Sequence, residues 1–414
     1  MLWEILIPKK QRSYIHKFRN ITLVEGDVQY LMKAMWSSAL MRAVTPILQT
    51  SQNALRGRVT QSGVLSHRIA LDTIFVLGEE CIITENDAVN CFDRILPHIA
   101  AMAFMRLGMV LGMVVFYLDF LEKAEHSIIL GGEPTKRRYA HSESTPILGS
   151  GQGTGWAGPS WYAVSDIIFT GLKENHPGIY LESPDGNTKD FRTAEASVND
   201  ARQGVNTSGV EKFSQENGTN LTILQAATNA CQGFERYLSL TGGKLALDKT
   251  MYYVLIPDMG GMDKRYLGGE EINLKLKLNE NFNGCTASLN MYQPGEAHKM
   301  LGIYTDPAST LREQKAYMAA QAKEWNERML GSTLDSSAKW LSYRTELCPR
   351  LKYSLPAVLL TESECKQILH PAIPSIKHVL GISRTAPNEI IFFPHEFGGY
   401  GVMDLHIEKL AEQA

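Results

Sequence analysis

The sequence lacks the cysteine spacing of a metal or disulfide framework. Its six cysteines, Cys81, Cys91, Cys231, Cys285, Cys348 and Cys365, are scattered along 414 residues with no C-x-x-C pair. That excludes a zinc knuckle or Cys/His finger and points to reduced, structural thiols. Charge of one sign is also missing: the net charge is −3, so nucleic-acid binding has to come from a local positive channel, not a basic coat. There is no long apolar run. The most apolar stretch, Ile99 to Leu121, contains Arg106 and Asp119, and its unbroken core is about a dozen residues where a membrane span needs roughly 20. The apolar start meets Lys9, Lys10 and Arg12 too soon for a signal peptide. The expectation is an intracellular chain, cytoplasmic or nuclear, with no membrane segment. Without a secretory signal, the N-x-S/T triplets at Asn206, Asn217 and Asn220 carry no glycosylation meaning. Internal repeats and low-complexity tracts are absent. With 44% hydrophobic and 21% charged residues, the chain has enough apolar material for a sizeable core and two or three domains.

Along the chain, Val28 to Val44 and Ser66 to Glu80 repeat apolar residues at helix spacing, with Ser66 as a candidate N-cap. "CIITEN" is a β-branched run ending on Asp87, and "CFDRILPHIAAMAFMRLG" continues as a helix. "GSGQGTGWAGPSWY" (Gly149 to Tyr162) leads into a helix with Pro159 at its first position. "AEASVNDARQGVN" reads as a hairpin, residues 207–220 as a polar loop, and "LTILQAATNACQGFERYLSL" as a helix. "TGGKLALDKTMYYVLIPD" follows as a turn and strand pair. A polar insertion then runs over about 258–297, "AHKMLGIY" is a short strand, and the last hundred residues are mainly helical.

The glycine loop has two readings. Gly153, Gly155 and Gly158 fit G-x-G-x-x-G, with Glu182 in the following "GIYLE" as a ribose ligand, which is a dinucleotide site. Against it, the glycine run starts four residues too early, and Asp87, Asn199-Asp200 and Lys249 are left unexplained. Those residues suit a polymerase: two carboxylates on adjacent strand ends can hold two Mg²⁺ ions about 3.5 to 4 Å apart.

The ordered set resembles reverse transcriptases. "NDAVNCFDRI" is similar to their first palm motif, "GSGQGTGWAGPSWY" to the Gln-Gly motif, and "SVND" sits at the place of the Asp-Asp hairpin. "TGGKLALDK" resembles the fourth motif, "HKMLGIY" the fifth, and "KFRNITLVEGD" the basic fingers segment. The motifs run in order over residues 14 to 304, and the tail "LGISRTAPNEIIFFPHEFGGYGVMDL" adds to the likeness, which is greatest to eukaryotic non-LTR-like retroelements. The resemblance implies an α+β right-hand polymerase: fingers over 1–80, a palm with an antiparallel sheet packed on helices over 81–304, and a helical thumb over 305–414. It implies an RNA template, a DNA primer, deoxynucleotide substrates and Mg²⁺, or Mn²⁺, as cofactor. Asp87 and the carbonyl of Ala88 are then metal ligands, with Asp200. Phe92 is the gate at the sugar's 2′ position, and Gln152 and Gly153 lie against the nucleotide. Lys17 and Arg19 meet the triphosphate, Lys249 donates a proton to pyrophosphate, and Leu301 and Gly302 sit in the strand that grips the primer. "KRR" (Lys136 to Arg138) is read as a solvated loop, with the template backbone as its other possible contact.

One departure matters. Where the family carries two adjacent aspartates, this chain has Asn199-Asp200, with Ser197 at an apolar or aromatic position. Asn keeps a carbonyl oxygen but loses the charge that holds a hard cation. A loss of ~4 kcal/mol lowers a rate about a thousandfold, and Glu195 is roughly 13 Å away along an extended strand. Weak or absent polymerisation in a decayed copy is expected, or a nucleic-acid-binding protein that keeps the fold without the chemistry. With no nuclease acids recognised, the chain is also expected to be a fragment of a longer element.

Overall fold

Ile82, Ile83 and Thr84 supply the β-branched side chains that a buried strand favours, and Cys81–Asp87 is a strand buried along its whole length. The computed structural model describes residues 2–8, 18–46, 48, 60–130, 132–142, 148–197, 200–260, 266–269, 272, 274–278 and 285–413. The chain divides into two compact units, one of residues 1–58, 76–257 and 268–292, the other of 59–75, 258–267 and 293–414.

In the first unit the Cys81–Asp87 strand lies between Asp200–Asn206 and Met251–Pro257, antiparallel to both. Ala194–Ser197 pairs outside Asp200–Asn206, and Asn290–Tyr292 runs parallel to Met251–Pro257. One face of this sheet packs on the helix Ile223–Leu240, which in turn packs on Ala157–Asn175. The shared core holds Ile82, Ala201, Val205, Ala226, Ala230 and Cys231. A second sheet places Leu2–Pro8 between Phe18–Val24, antiparallel, and Glu125–Leu130, parallel. Aromatic side chains fill the core around fully buried Trp36, whose ring meets Trp156 edge-on at 5.3 Å. This is the expected α+β class, an antiparallel sheet packed on helices.

The second unit is mainly helical. In Arg312–Gly331, Met318, Ala322, Trp325 and Met329 follow one another at helix spacing and are buried against Tyr343, Leu347 and Leu351.

Several elements differ from their sequence reading. Residues 207–220 are not a loop: Thr207–Asn217 is a helix, capped by the Asn206 side chain accepting from the Gly209 N–H and ended by Gly218 at φ +63°. The helix expected to start at Ser66 runs from Thr60 to Leu77, because Val64 and His67 extend the buried face of Leu71 and Ile74 back by a turn. Cys91–Arg94 and Pro97–Arg106 are separate helices; the residue before a proline avoids the α region, and Leu96 takes ψ 118°. Pro159 sits within the first turn of a helix that begins at Ala157. The expected strand pair after Gly243 is one strand, Met251–Pro257, preceded by a single bridge between Ala88 and Leu245. The polar insertion is not structureless: Lys275–Lys277 pairs with Thr286–Ser288 and is held by Gln232, which bonds both the N–H and the carbonyl of Lys277. Leu301 and Gly302 are not in a strand. They form the turn between His298–Met300 and Ile303–Thr305, with φ +55° and +86°, the positive values that a tight hairpin turn requires.

Candidate active site

The site is built on the free end of the central strand. Register places Asp200 directly opposite Asp87, and directly opposed residues of an antiparallel pair project to the same face with Cα atoms about 4.5–5.5 Å apart. The next rung on that face pairs Glu85 with Arg202; both are buried and joined by an ion pair. A buried charge needs such a partner. Arg202 also faces Glu195, which accepts from Arg192 at 3.0 Å. Burial, opposed by the two arginines, raises the Glu195 carboxyl above its usual range. Glu195 is thus committed to this charged row.

The opposite face of the same strands, which sends Ile82, Ala201 and Val205 into the helix-packed core, also carries buried polar side chains. Asn86 donates to Gln203 at 3.0 Å, and Gln203 donates to the Ala230 carbonyl of the helix Ile223–Leu240 at 3.1 Å. This buried network fixes the sheet on its helix directly behind the acid pair.

Lys249 arrives by way of the "TGGKLALDK" segment. Gly242, at φ +88°, lies so close to Arg94 that a Cβ would stand 2.4 Å from its carbonyl oxygen. Two ladder bonds, Val89 N–H to Lys244 and Ala246 N–H to Asp87, then lay the segment beside the strand end. Those bonds flank Ala88 and leave its own carbonyl outside the pairing. A turn closed by Lys249 N–H on the Ala246 carbonyl brings the Lys249 ammonium onto Oδ2 of Asp87. That hydrogen bond, with the charges of Asp87, Asp200 and Asp248, raises the ammonium above its usual range against a smaller effect of burial.

The glycine loop lies next to the strand end. Its Gly149 N–H and Ser150 N–H donate to Ile95 and Phe92, and the Gln152 carbonyl accepts from Thr22. Phe92 is half-buried against the core. Gln29, which the motif comparison missed, clamps the loop by donating to the Gly153 carbonyl at 2.9 Å and accepting from Gly155 N–H at 3.1 Å. The glycines therefore serve packing within the protein: a Cβ at Gly153 would stand 2.7 Å from the Thr22 oxygen, and at Gly155 2.6 Å from Lys33 N.

This geometry also disposes of the dinucleotide reading. Ile179–Glu182 pairs antiparallel with Lys189–Arg192 alone among the described residues, not in the parallel βαβ sheet that such a site requires.

No family model matches the chain, and no curated protein sequence does. Solved structures of polymerases are similar to it. The telomerase of Candida albicans, in complex with the TWJ fragment of telomeric RNA, is 11% identical with a TM-score of 0.41, over 100% of this chain and 59% of that one. The apo telomerase of Candida tropicalis is 10% identical with a TM-score of 0.42, over 99% and 63%. The RNA-dependent RNA polymerase of a human picobirnavirus is 12% identical with a TM-score of 0.38, over 99% and 61%. This chain thus spans about three fifths of the length of these neighbours.

Of the sequence-derived candidates, Asp87, Ala88, Asp200 and Lys249 come together, with Gln152 and Gly153 on the adjoining loop and Phe92 in the short helix Cys91–Arg94 to which that loop is bonded. Leu301 and Gly302 belong to the second unit, where the Tyr353 hydroxyl donates to the Leu301 carbonyl at 2.7 Å. Lys17 and Asn199 lie outside the described residues, as does the side chain of Arg19. Glu85 and Arg202 were missed, although strand period two puts them on the face of Asp87 and Asp200. Among the described residues no cluster of three or more His, Cys, Asp and Glu is arranged for a metal, and no helix is long and apolar enough to cross a membrane.

Proposed function

We propose that the chain is a reverse-transcriptase-like polymerase domain of retroelement type, impaired at Asn199. The observation that carries this reading is the register that opposes Asp87 to Asp200 with the Lys249 ammonium on Asp87. The Asp87 and Asp200 carboxylates and the Ala88 carbonyl are hard oxygen donors of the kind Mg²⁺ or Mn²⁺ takes, so the residues fit a divalent cation with one acid fewer than the family motif. When bound, such cations supply activation of the primer hydroxyl and neutralisation of the leaving pyrophosphate.

The chain's own residues have separate tasks. Asp87 and Asp200 hold negative charge at the strand end. Phe92 limits space at the sugar's 2′ position, and Gln152 and Gly153 support the incoming deoxynucleotide. Lys17 and Arg19 bind its triphosphate, and Lys249 supplies a proton to the departing pyrophosphate. Leu301 and Gly302 hold the DNA primer end against the RNA template. In this reading fingers, palm and thumb are residues 1–80, 81–304 and 305–414.

A second reading, a nucleic-acid-binding protein without catalysis, is favoured by Asn199, which lacks the charge of the aspartate it replaces. Primer extension on an RNA template with Mg²⁺ or Mn²⁺ separates them. The protein as it stands is expected to extend poorly and Asn199→Asp to extend about a thousandfold faster, the equivalent of ~4 kcal/mol. Template-primer binding without extension in either protein would favour the binding reading, and extension at equal rates would overturn the role given to the Asn199 charge.

A further inference from the structure

Asp87 and Asp200 are like charges on one rung of a strand pair, an arrangement that is destabilising by itself. The neighbouring cation on that face, Arg202, is paired with buried Glu85. The Lys249 ammonium lies on Asp87, and its side chain is 62% exposed while that of Asp87 is 11% exposed. Its backbone is anchored by the Ala246 turn and the Ala88–Leu245 bridge. The side chain is thus held at the acid by charge more than by packing, and it has solvent to move into.

We propose that Lys249 is the resident counter-ion of the acid pair, and that a divalent cation binds Asp87 by displacing its ammonium. This rests on reading Asp87 and Asp200 as the cation-binding pair. One of the site's two negative charges is then balanced before any cation arrives, and cation entry and release of Lys249 are a single exchange. The lysine becomes available to a phosphate only once the acids have a replacement charge, so the order of events is written into the site.

Mn²⁺ titrated into the full chain without nucleic acid, with free ion read by electron paramagnetic resonance, tests this. Lys249→Met is expected to bind Mn²⁺ about tenfold more tightly than the unmodified protein, roughly 1.4 kcal/mol of removed competition. Lys249→Arg, which keeps the charge, is expected to stay within about threefold, well under that tenfold step. Asp87→Asn is expected to weaken binding both alone and when combined with Lys249→Met. If Lys249→Met binds no more tightly while Asp87→Asn weakens binding, the counter-ion inference is overturned and the acid-pair reading stands. If Asp87→Asn leaves Mn²⁺ binding unchanged, or if neither the unmodified protein nor Lys249→Met binds Mn²⁺, the acid-pair reading fails and the inference with it.

Discussion

Single atoms decide most at the glycine loop. Gly153 has φ +110°, and a Cβ there would meet backbone at 2.7 Å; at Gly155 it would meet the Lys33 nitrogen at 2.6 Å. Backbone cannot yield as the end of a flexible side chain can, so Gly153→Ala and Gly155→Ala are each expected to destabilise by about 2 kcal/mol or more. Gly158→Ala has only the edge of the Tyr162 ring at 3.8 Å and is expected to change stability by less than about 0.5 kcal/mol. Urea denaturation of the three variants checks the ranking. A nucleotide-approach role alone would leave all three equally stable. The motif made these glycines visible in the sequence; what they avoid touching was not, because Thr22 and Lys33 come from a distant segment.

Elements here are specified at their ends as much as along their faces. Thr207–Asn217 looked like a loop because its polar residues outnumber its apolar ones, yet Asn206 and Gly218 close both ends. The helix Glu362–Leu369 in the second unit shows the same device more strongly. Thr361 and Glu364 form a reciprocal capping box, and Lys315 of Arg312–Gly331 bonds Glu364 at 2.7 Å. The Lys315 hydrogen bond, followed by that from the Thr361 backbone, holds the Glu364 carboxyl down at about 2. Its folded value is below its unfolded one, so its contribution is complete above about pH 4.5 and is lost as pH falls towards 2. Glu364→Gln is expected to cost about 1 kcal/mol near neutrality and nothing at the acid end. Denaturant unfolding of both proteins across that pH range tests this, and a constant difference would show that shape, not charge, matters at this cap.

At the scale of the whole molecule the described residues form two hydrophobic clusters, one around Trp36 and Trp156, the other around Trp325 and Leu351. Large proteins with separate cores depart from all-or-none unfolding, so calorimetry is expected to show two transitions. Trp325→Ala, removing a fully buried side chain, should lower one of them by about 3–5 kcal/mol of stability and leave the other in place. One transition, shifted as a whole, would count against independent cores. Much was legible before any coordinates. The β-branched run ending on Asp87, the glycine loop, the helix in "LTILQAATNACQGFERYLSL" and Lys249 after a Gly-Gly turn are local patterns, and local chemistry encodes local conformation. Their order along the chain was enough to suggest the polymerase class, and the resemblance to reverse transcriptases marked Asn199 as a departure from the family motif. Which acid opposes Asp87, which cation rests on it, and which charges lie beneath were settled only by tertiary structure. Strand register, the close approach of Gly242 to Arg94 and the Glu85–Arg202 pair join segments far apart in sequence, and such joins are chosen by burial and packing of the whole unit, which no short stretch contains.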